Sequence, residues 1–129
     1  MNLNHVNLVV KDVDQAVNLF TGFLGFSLIT NRNSMMAVLE NDTFALVLWG
    51  QVLNQEEQVP NYPKNFHIGF YQENEDAVHA VYQKLTAVEG LSFESGPKKI
   101  RDTFGFYFYF ENLMIEISVN PFKQGDSDL

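Results

Sequence analysis

Residues 3–29, LNHVNLVVKDVDQAVNLFTGFLGFSLI, contain a strand, a helix and the start of a second strand. Leu3 to Val10 alternates in character and is rich in Val and Leu, which reads as extended backbone. Asp12 stands where a helix N-cap belongs, with Gln15 three residues on, as in a capping box. Val13, Ala16, Val17, Phe20 and Leu24 then recur at helical spacing, and Gly25 predicts the stop. Phe26 to Ile29 resumes strand character, and Met35 to Leu39 and Phe44 to Trp49 predict two more strands split by the turn pair Asn41-Asp42.

The same order returns further on. Phe66 to Phe70 predicts a strand, Asn74 a cap, and Ala77, Val78, Val81, Leu85 and Val88 a helical stripe closed by Gly90. Leu91 to Phe93, Phe106 to Phe110 and Leu113 to Val119 predict three strands, the last two split by Glu111-Asn112. His5 and His67 are 62 residues apart, and Gly25 and Gly90 are 65 apart, so the chain reads as a duplicated β-α-β-β-β unit. The expected organisation is a single α+β domain over 1–129. Module one covers about 1–50, a polar linker about 51–65, module two about 66–120 and a loosely held tail 121–129.

Strand parity isolates three ionisable residues. Side chains alternate between the faces of a strand. Val6, Leu8 and Val10 oppose His5, Asn7 and Val9; Phe66, Ile68 and Phe70 oppose His67, Gly69 and Tyr71. In the last run Leu113, Ile115, Ile117 and Val119 oppose Met114, Glu116 and Ser118. His5, His67 and Glu116 thus share the less apolar face of their strands, where an ionisable group needs a partner or a metal. Two imidazoles and a carboxylate form an open ligand set for a divalent cation. The bland reading of each histidine alone is a residue satisfied by a neighbouring carbonyl. His79 lies outside the helical stripe and reads as a solvated residue. Tyr107 and Tyr109 alternate with Phe106, Phe108 and Phe110, and the sequence does not decide which set faces the site.

Composition narrows the classes. The hydrophobic fraction of 46% supports a packed core, and 12 Phe and 5 Tyr suggest a ring-lined interior. With no Cys, disulfides, thiolate metal sites and a cysteine nucleophile are excluded. Eight basic and 16 acidic residues give a net charge of −8, which would repel a phosphate backbone, so no nucleic-acid partner is expected. Glu56-Glu57, Asp126 and Asp128 read as solvated charge. There is no leader and no run of membrane-spanning length, so the expectation is a cytoplasmic protein without a membrane partner.

Leu3-Asn4-His5-Val6 with the helix to Leu24-Gly25-Phe26, and the closing Phe108-Tyr109-Phe110 to Ile115-Glu116-Ile117, resemble the vicinal oxygen chelate superfamily. That superfamily includes glyoxalase I, extradiol dioxygenases, fosfomycin-resistance proteins and bleomycin-resistance proteins. The resemblance covers Leu3 to about Val119. It implies two βαβββ modules forming cupped mixed sheets around a cavity, with metal ligands on the first and last strand of each. His5, His67 and Glu116 match three of those positions; the fourth falls at Val47, or at Ala45 if the alignment gap shifts, and neither binds metal. This departs from four-ligand glyoxalase I and is closer to the two-His-one-carboxylate pattern of dioxygenases and fosfomycin-modifying enzymes. The turn before the last strand is shortened to Glu111-Asn112. No cationic phosphonate clamp is evident, and Lys98-Lys99-Ile100-Arg101 is the one basic cluster, so fosfomycin resistance is not assigned.

The resemblance implies a protein holding Fe²⁺, Mn²⁺, Zn²⁺ or a similar ion on His5, His67 and Glu116. That ion would chelate vicinal oxygens of a small molecule, in a metal-dependent lyase, transferase or dioxygenase. Val47, Trp49, Tyr71 and Ser118 are the candidate substrate-binding residues. A homodimer, with modules of different subunits pairing, is also implied. The alternative is a metal-free, bleomycin-resistance-like protein that sequesters an aromatic or cationic small molecule through stacking and its negative charge. A structural or regulatory domain with a vestigial site is the third reading.

Overall fold

The computed structural model describes residues 1–53, 55 and 61–122. Glu56-Glu57, Asp126 and Asp128, read above as solvated charge, lie outside the described residues. The chain forms two compact units, Met1–Tyr62 and Pro63–Leu129.

In the first unit, Asp12 accepts a hydrogen bond from the Gln15 amide at 3.0 Å and starts α1 (Val13–Phe23). Gly25, at φ +83°, ends it, and the Phe26 amide donates back to the Phe20 carbonyl at 3.1 Å. The helix follows β1 (His5–Val10) and precedes β2 (Ser27–Arg32), β3 (Met36–Asn41) and β4 (Phe44–Gly50). The sheet order is β1-β4-β3-β2, with β1 parallel to β4 and the other pairs antiparallel. Val13, Ala16, Val17, Leu19 and Phe20 bury one side of α1, while Leu8, Val10, Ala37, Leu39, Leu46 and Leu48 form the buried sheet face. Each fully buried Leu or Phe contributes about 1.5–3 kcal/mol relative to exposure, so this layer is the first unit's main stabilising element.

The second unit repeats the plan. β5 (His67–Gln72) is followed by α2 (Glu75–Leu85), β6 (Leu91–Phe93), β7 (Lys98–Ile100), β8 (Thr103–Phe110) and β9 (Leu113–Val119). The order is β5-β9-β8-β6, with β5 parallel to β9 and β7 also pairing with β8. Asn74 caps α2 by accepting from the Ala77 amide at 2.9 Å. Beneath α2, Tyr82 packs edge-on against Phe93 and Phe106, at centroid distances of 5.5 and 5.1 Å. The core here is therefore aromatic. Both units are βαβββ modules with mixed sheets, the α+β architecture expected from the repeat.

Three details depart from the sequence reading. The second helix stops at Leu85, with Thr86 as its cap, so Val88 and Gly90 lie in a turn segment outside it. Where β2 runs as one strand along β3, the second unit has two, β6 and β7, both paired with β8, and Lys98 and Lys99 of the basic cluster fall in β7. The β3–β4 turn is Asp42-Thr43, one residue beyond the expected pair, with Asp42 in the left-handed region at φ 53°. None of the helices among the described residues is long and apolar enough to cross a membrane.

A polar clasp fixes the β2–β3 hairpin to α1. Asn33 and Ser34 both have positive φ, 57° and 59°, which suits a tight hairpin between right-twisted strands. Asp14 accepts hydrogen bonds from Asn31 Nδ2 at 2.9 Å and Ser34 Oγ at 2.7 Å. These two bonds hold its carboxyl below its ordinary value of 3.8. The folded state thus favours the carboxylate, so the contribution is full above about pH 3.8 and fades as pH falls through the lowered folded value. Asp14→Asn is expected to lower stability at pH 7, with the deficit shrinking at pH 3. Urea unfolding of both proteins at the two pH values measures this, and an unchanged deficit refutes the role.

Candidate metal centre

The parallel pairing of β5 with β9 sets His67 opposite Met114 and Gly69 opposite Glu116. His67 and Glu116 are therefore diagonal neighbours on one sheet face, within reach for long side chains. His67 Nε2 lies 3.0 Å from Glu116 Oε1, with the two side chains 33% and 14% exposed. Each is also held from behind. His67 Nδ1 is 2.9 Å from the Asn65 carbonyl, which only accepts, so Nδ1 carries a hydrogen. Ser118 Oγ donates to Glu116 Oε2 at 2.7 Å.

This geometry constrains where hydrogens can sit. With Nδ1 protonated, a neutral imidazole presents its Nε2 lone pair to the Glu116 carboxylate, and two acceptors then oppose each other at 3.0 Å. A proton shared between them resolves this, and so does a cation bound by both. An imidazole oriented by a backbone carbonyl and a carboxylate braced by a hydroxyl are what metal sites use to orient their ligands. The donor set fits a divalent ion of the Zn, Mn or Fe type.

His5 belongs to the first unit, exposed on β1, with Nδ1 2.7 Å from Asn4 Oδ1. An amide oxygen accepts only, so Nδ1 is the protonated nitrogen and Nε2 keeps its lone pair for coordination. Within either unit, no three His, Asp or Glu side chains gather into a metal-holding group among the described residues. The structure thus brings His67 and Glu116 together in the second unit and leaves His5 in the first.

Register also resolves the fourth position. In the first unit His5 pairs with Ala45 and Asn7 with Val47; in the second His67 pairs with Met114 and Gly69 with Glu116. Val47, not Ala45, is therefore the counterpart of Glu116, and Trp49 the counterpart of Ser118. Both Val47 and Trp49 are partly exposed on β4. Tyr71, 55% exposed, lies opposite Ser118. Ser118 itself is 1% exposed, and its hydroxyl is committed to Glu116.

The face extends onto β8. Phe106, Phe108 and Phe110 point into the core, at 0%, 0% and 4% exposure, which puts Tyr107 and Tyr109 beside the ionisable pair. Tyr107 sits opposite Glu116 and meets His67 edge-on, with centroids 5.7 Å apart. Its hydroxyl accepts from Arg101 Nη2 at 3.2 Å. Tyr109 donates to Glu94 Oε1 at 3.1 Å; burial, then this bond and the Glu94 charge, raise its phenol above 10.0. The alternation of Tyr and Phe along β8 leaves open in the sequence which set faces the site, and the structure puts Tyr107 and Tyr109 there. The signal was available: a two-residue turn at Glu111-Asn112 fixes Phe110 against Leu113, and counting back sets Tyr107 against Glu116.

Comparison with known proteins agrees with this architecture. The family model described as Glyoxalase/Bleomycin resistance protein/Dioxygenase superfamily matches residues 2–117. A structure described as a possible glyoxalase from Bacillus cereus is 30% identical, with a TM-score of 0.73, covering 91% of this chain and 97% of that one. A fosfomycin resistance protein from Listeria monocytogenes is 18% identical, covering 93% of each chain with a TM-score of 0.74. Lactoylglutathione lyase from Agrobacterium tumefaciens is 13% identical, covering 95% of this chain and 96% of that one with a TM-score of 0.72. At these two identities the likeness is one of fold. No curated protein matches the chain.

Two glycines on the site face differ in the room behind them. A Cβ at Gly105 would fall 2.2 Å from the Ile117 carbonyl oxygen, whereas one at Gly69 would make ordinary contacts of 3.6 Å with Glu116. Gly105→Ala is expected to cost about 1–3 kcal/mol through overpacking against backbone. Gly69→Ala, which meets only ordinary contacts, should change stability by no more than about 1 kcal/mol, the scale of the glycine–alanine backbone difference in a strand. Chemical denaturation of the two variants measures the contrast, and equal losses contradict the packing described.

Proposed function

The chain belongs to the Glyoxalase/Bleomycin resistance protein/Dioxygenase superfamily, and we propose that within it this protein is a metal-dependent binder of small oxygen-rich molecules. Members of such a superfamily share a fold that hosts several activities, so the function must be argued from the site. The observation that carries the reading is the His67–Glu116 contact at 3.0 Å, which opposes an imidazole nitrogen to a carboxylate and so calls for a proton or a cation.

In this proposal His67 Nε2 and Glu116 Oε1 hold the ion, with His5 Nε2 as the third ligand. Asn65 fixes the imidazole tautomer, and Ser118 keeps the carboxylate turned towards the ion and away from the core. We assign Ser118 this positioning role because its buried hydroxyl is already engaged. Tyr71, Trp49 and Val47 would contact the small molecule, Tyr71 and Trp49 through their rings. A bound divalent ion supplies Lewis acidity to vicinal oxygens of that molecule. With Val47 in the fourth position, three protein ligands leave coordination sites open, which favours a lyase, transferase or dioxygenase over a four-ligand isomerase.

Replacing the shared proton with a cation makes metal uptake expel a proton. Titration calorimetry of the metal-free protein with Mn²⁺ or Zn²⁺, in two buffers of different ionisation enthalpy, should show binding with proton release. His67→Ala and Glu116→Ala should each lose at least tenfold in affinity, the lower end of what even outer-shell substitutions cost. Failure to take up Mn²⁺, Zn²⁺ or anaerobic Fe²⁺ would refute the proposal in favour of the metal-free binder of aromatic or cationic molecules.

A further inference from the structure

We infer that Gly69 is a specificity-determining residue. Its bare backbone forms a notch beside the His67–Glu116 pair, so that the molecule bound there carries a compact apolar group on the carbon next to its chelating oxygens. The inference rests on the preceding proposal, because an ion on His67 and Glu116 sets where those oxygens sit.

A glycine inside a strand weakens it, and few circumstances explain one: a positive φ, a bulge, tight packing, or the near approach of a ligand or another backbone. At Gly69 the first three are absent. Gly25 and Gly90 have positive φ and Gly69 does not. The β5–β9 register runs unbroken from His67 opposite Met114 to Gln72 opposite Val119, so there is no bulge. A Cβ at Gly69 would stand 3.6 Å from the Cβ and the carbonyl oxygen of Glu116, which are ordinary contacts, unlike the clash at Gly105. The module plan does not call for a glycine either, because the equivalent position on β1, opposite Val47, is Asn7. What remains is approach from outside, and Gly69 is exposed.

The surroundings define what approaches. Gly69 lies directly opposite Glu116, and the neighbouring positions on the same face of β5 are His67 and Tyr71. Those two residues are roughly 13 Å apart along the strand, so the missing side chain opens a gap between an imidazole and a phenol. Across the strand pair, Tyr107 stands opposite Glu116 and edge-on to His67. A ligand held at the pair by its oxygens is thus hemmed in towards β8 and has room for further carbon over Gly69. Tyr71 is 55% exposed, and its ring offers apolar surface to cover that carbon. The notch has no side chain of its own to bond a polar substituent, so an apolar group of about the size of an isobutyl suits it.

Glycolate and 2-hydroxyisocaproate present the same pair of vicinal oxygens and differ by an isobutyl group. Each is titrated by calorimetry into the Mn²⁺-loaded full chain. The longer acid should bind about tenfold or more tightly, as burial of several carbons implies. Gly69→Val fills the gap and should bring the two acids to within about twofold of each other, with Gly69→Ala between. Tyr71→Ala should weaken 2-hydroxyisocaproate and leave glycolate unchanged. Mn²⁺ and glycolate affinities should stay unchanged in both Gly69 variants. Equal affinity for the two acids in the unaltered protein, no binding of either, or a preference that survives in Gly69→Val and Gly69→Ala overturns the inference. A change of elution volume on gel filtration in the Gly69 variants, with both acids affected alike, overturns it in favour of another backbone packing there. Failure of Mn²⁺ uptake by the unaltered protein refutes the metal proposal itself, and this inference with it.

Discussion

Each module places the first strand of its βαβββ unit parallel to the last, and the site depends on that pairing. Neighbours in sequence pair antiparallel through short turns, but β5 and β9 belong to opposite ends of their unit, and a helix must cross between β5 and the strands that follow. Burial of α2 over Phe106, Phe108, Ile115 and Ile117 keeps the apolar face closed, which leaves the opposite face for polar chemistry. His67 and Glu116 meet because the first strand and the last have no other strand between them.

Much of this was legible in the chain itself. The caps at Asp12 and Asn74 were readable because a short polar side chain before an apolar stripe has few other uses. The parity of His5, His67 and Glu116 was readable because a strand repeats every two residues. The end of α2 was not: Gly90 attracts the reading, but three extra residues separate the helix from that glycine, relative to the spacing around Gly25, and the helix ends at Leu85 on its own hydrogen bonds. Strand β7 was hidden because Lys98-Lys99-Ile100 has neither apolar alternation nor length, and forms only by pairing with β8. The choice between Val47 and Ala45 needed register, which depends on the turn residue that takes positive φ.

The polar face is costly to build. Glu116 and Ser118 are flanked by Ile115 and Ile117, and Ser118 is buried. A carboxylate with so little exposure must have its oxygens satisfied, and here a histidine takes one and a serine the other. The tyrosines of β8 resolve the same problem differently, one accepting from a cation and the other donating to an anion. Alternating Phe and Tyr along β8 therefore sorts two tasks by the pleat alone, with rings that pack on one side and hydroxyls that bond on the other.

The turn at Glu111, in the left-handed region at φ 53°, matches Asp42 of the first unit in position and angle. Between β8 and β9, as between β3 and β4, the turn occupies two residues, while the segments before them differ in length. The hairpin behaves like a reading frame. A length change elsewhere in the module is absorbed at the surface, but one extra residue in this turn would shift β9 by a single step. Ile115 and Ile117 would then take the polar face and Glu116 the side of the helix. The edges of the module are thus free to vary, while the two-residue turn is held to its length by chemistry several residues away.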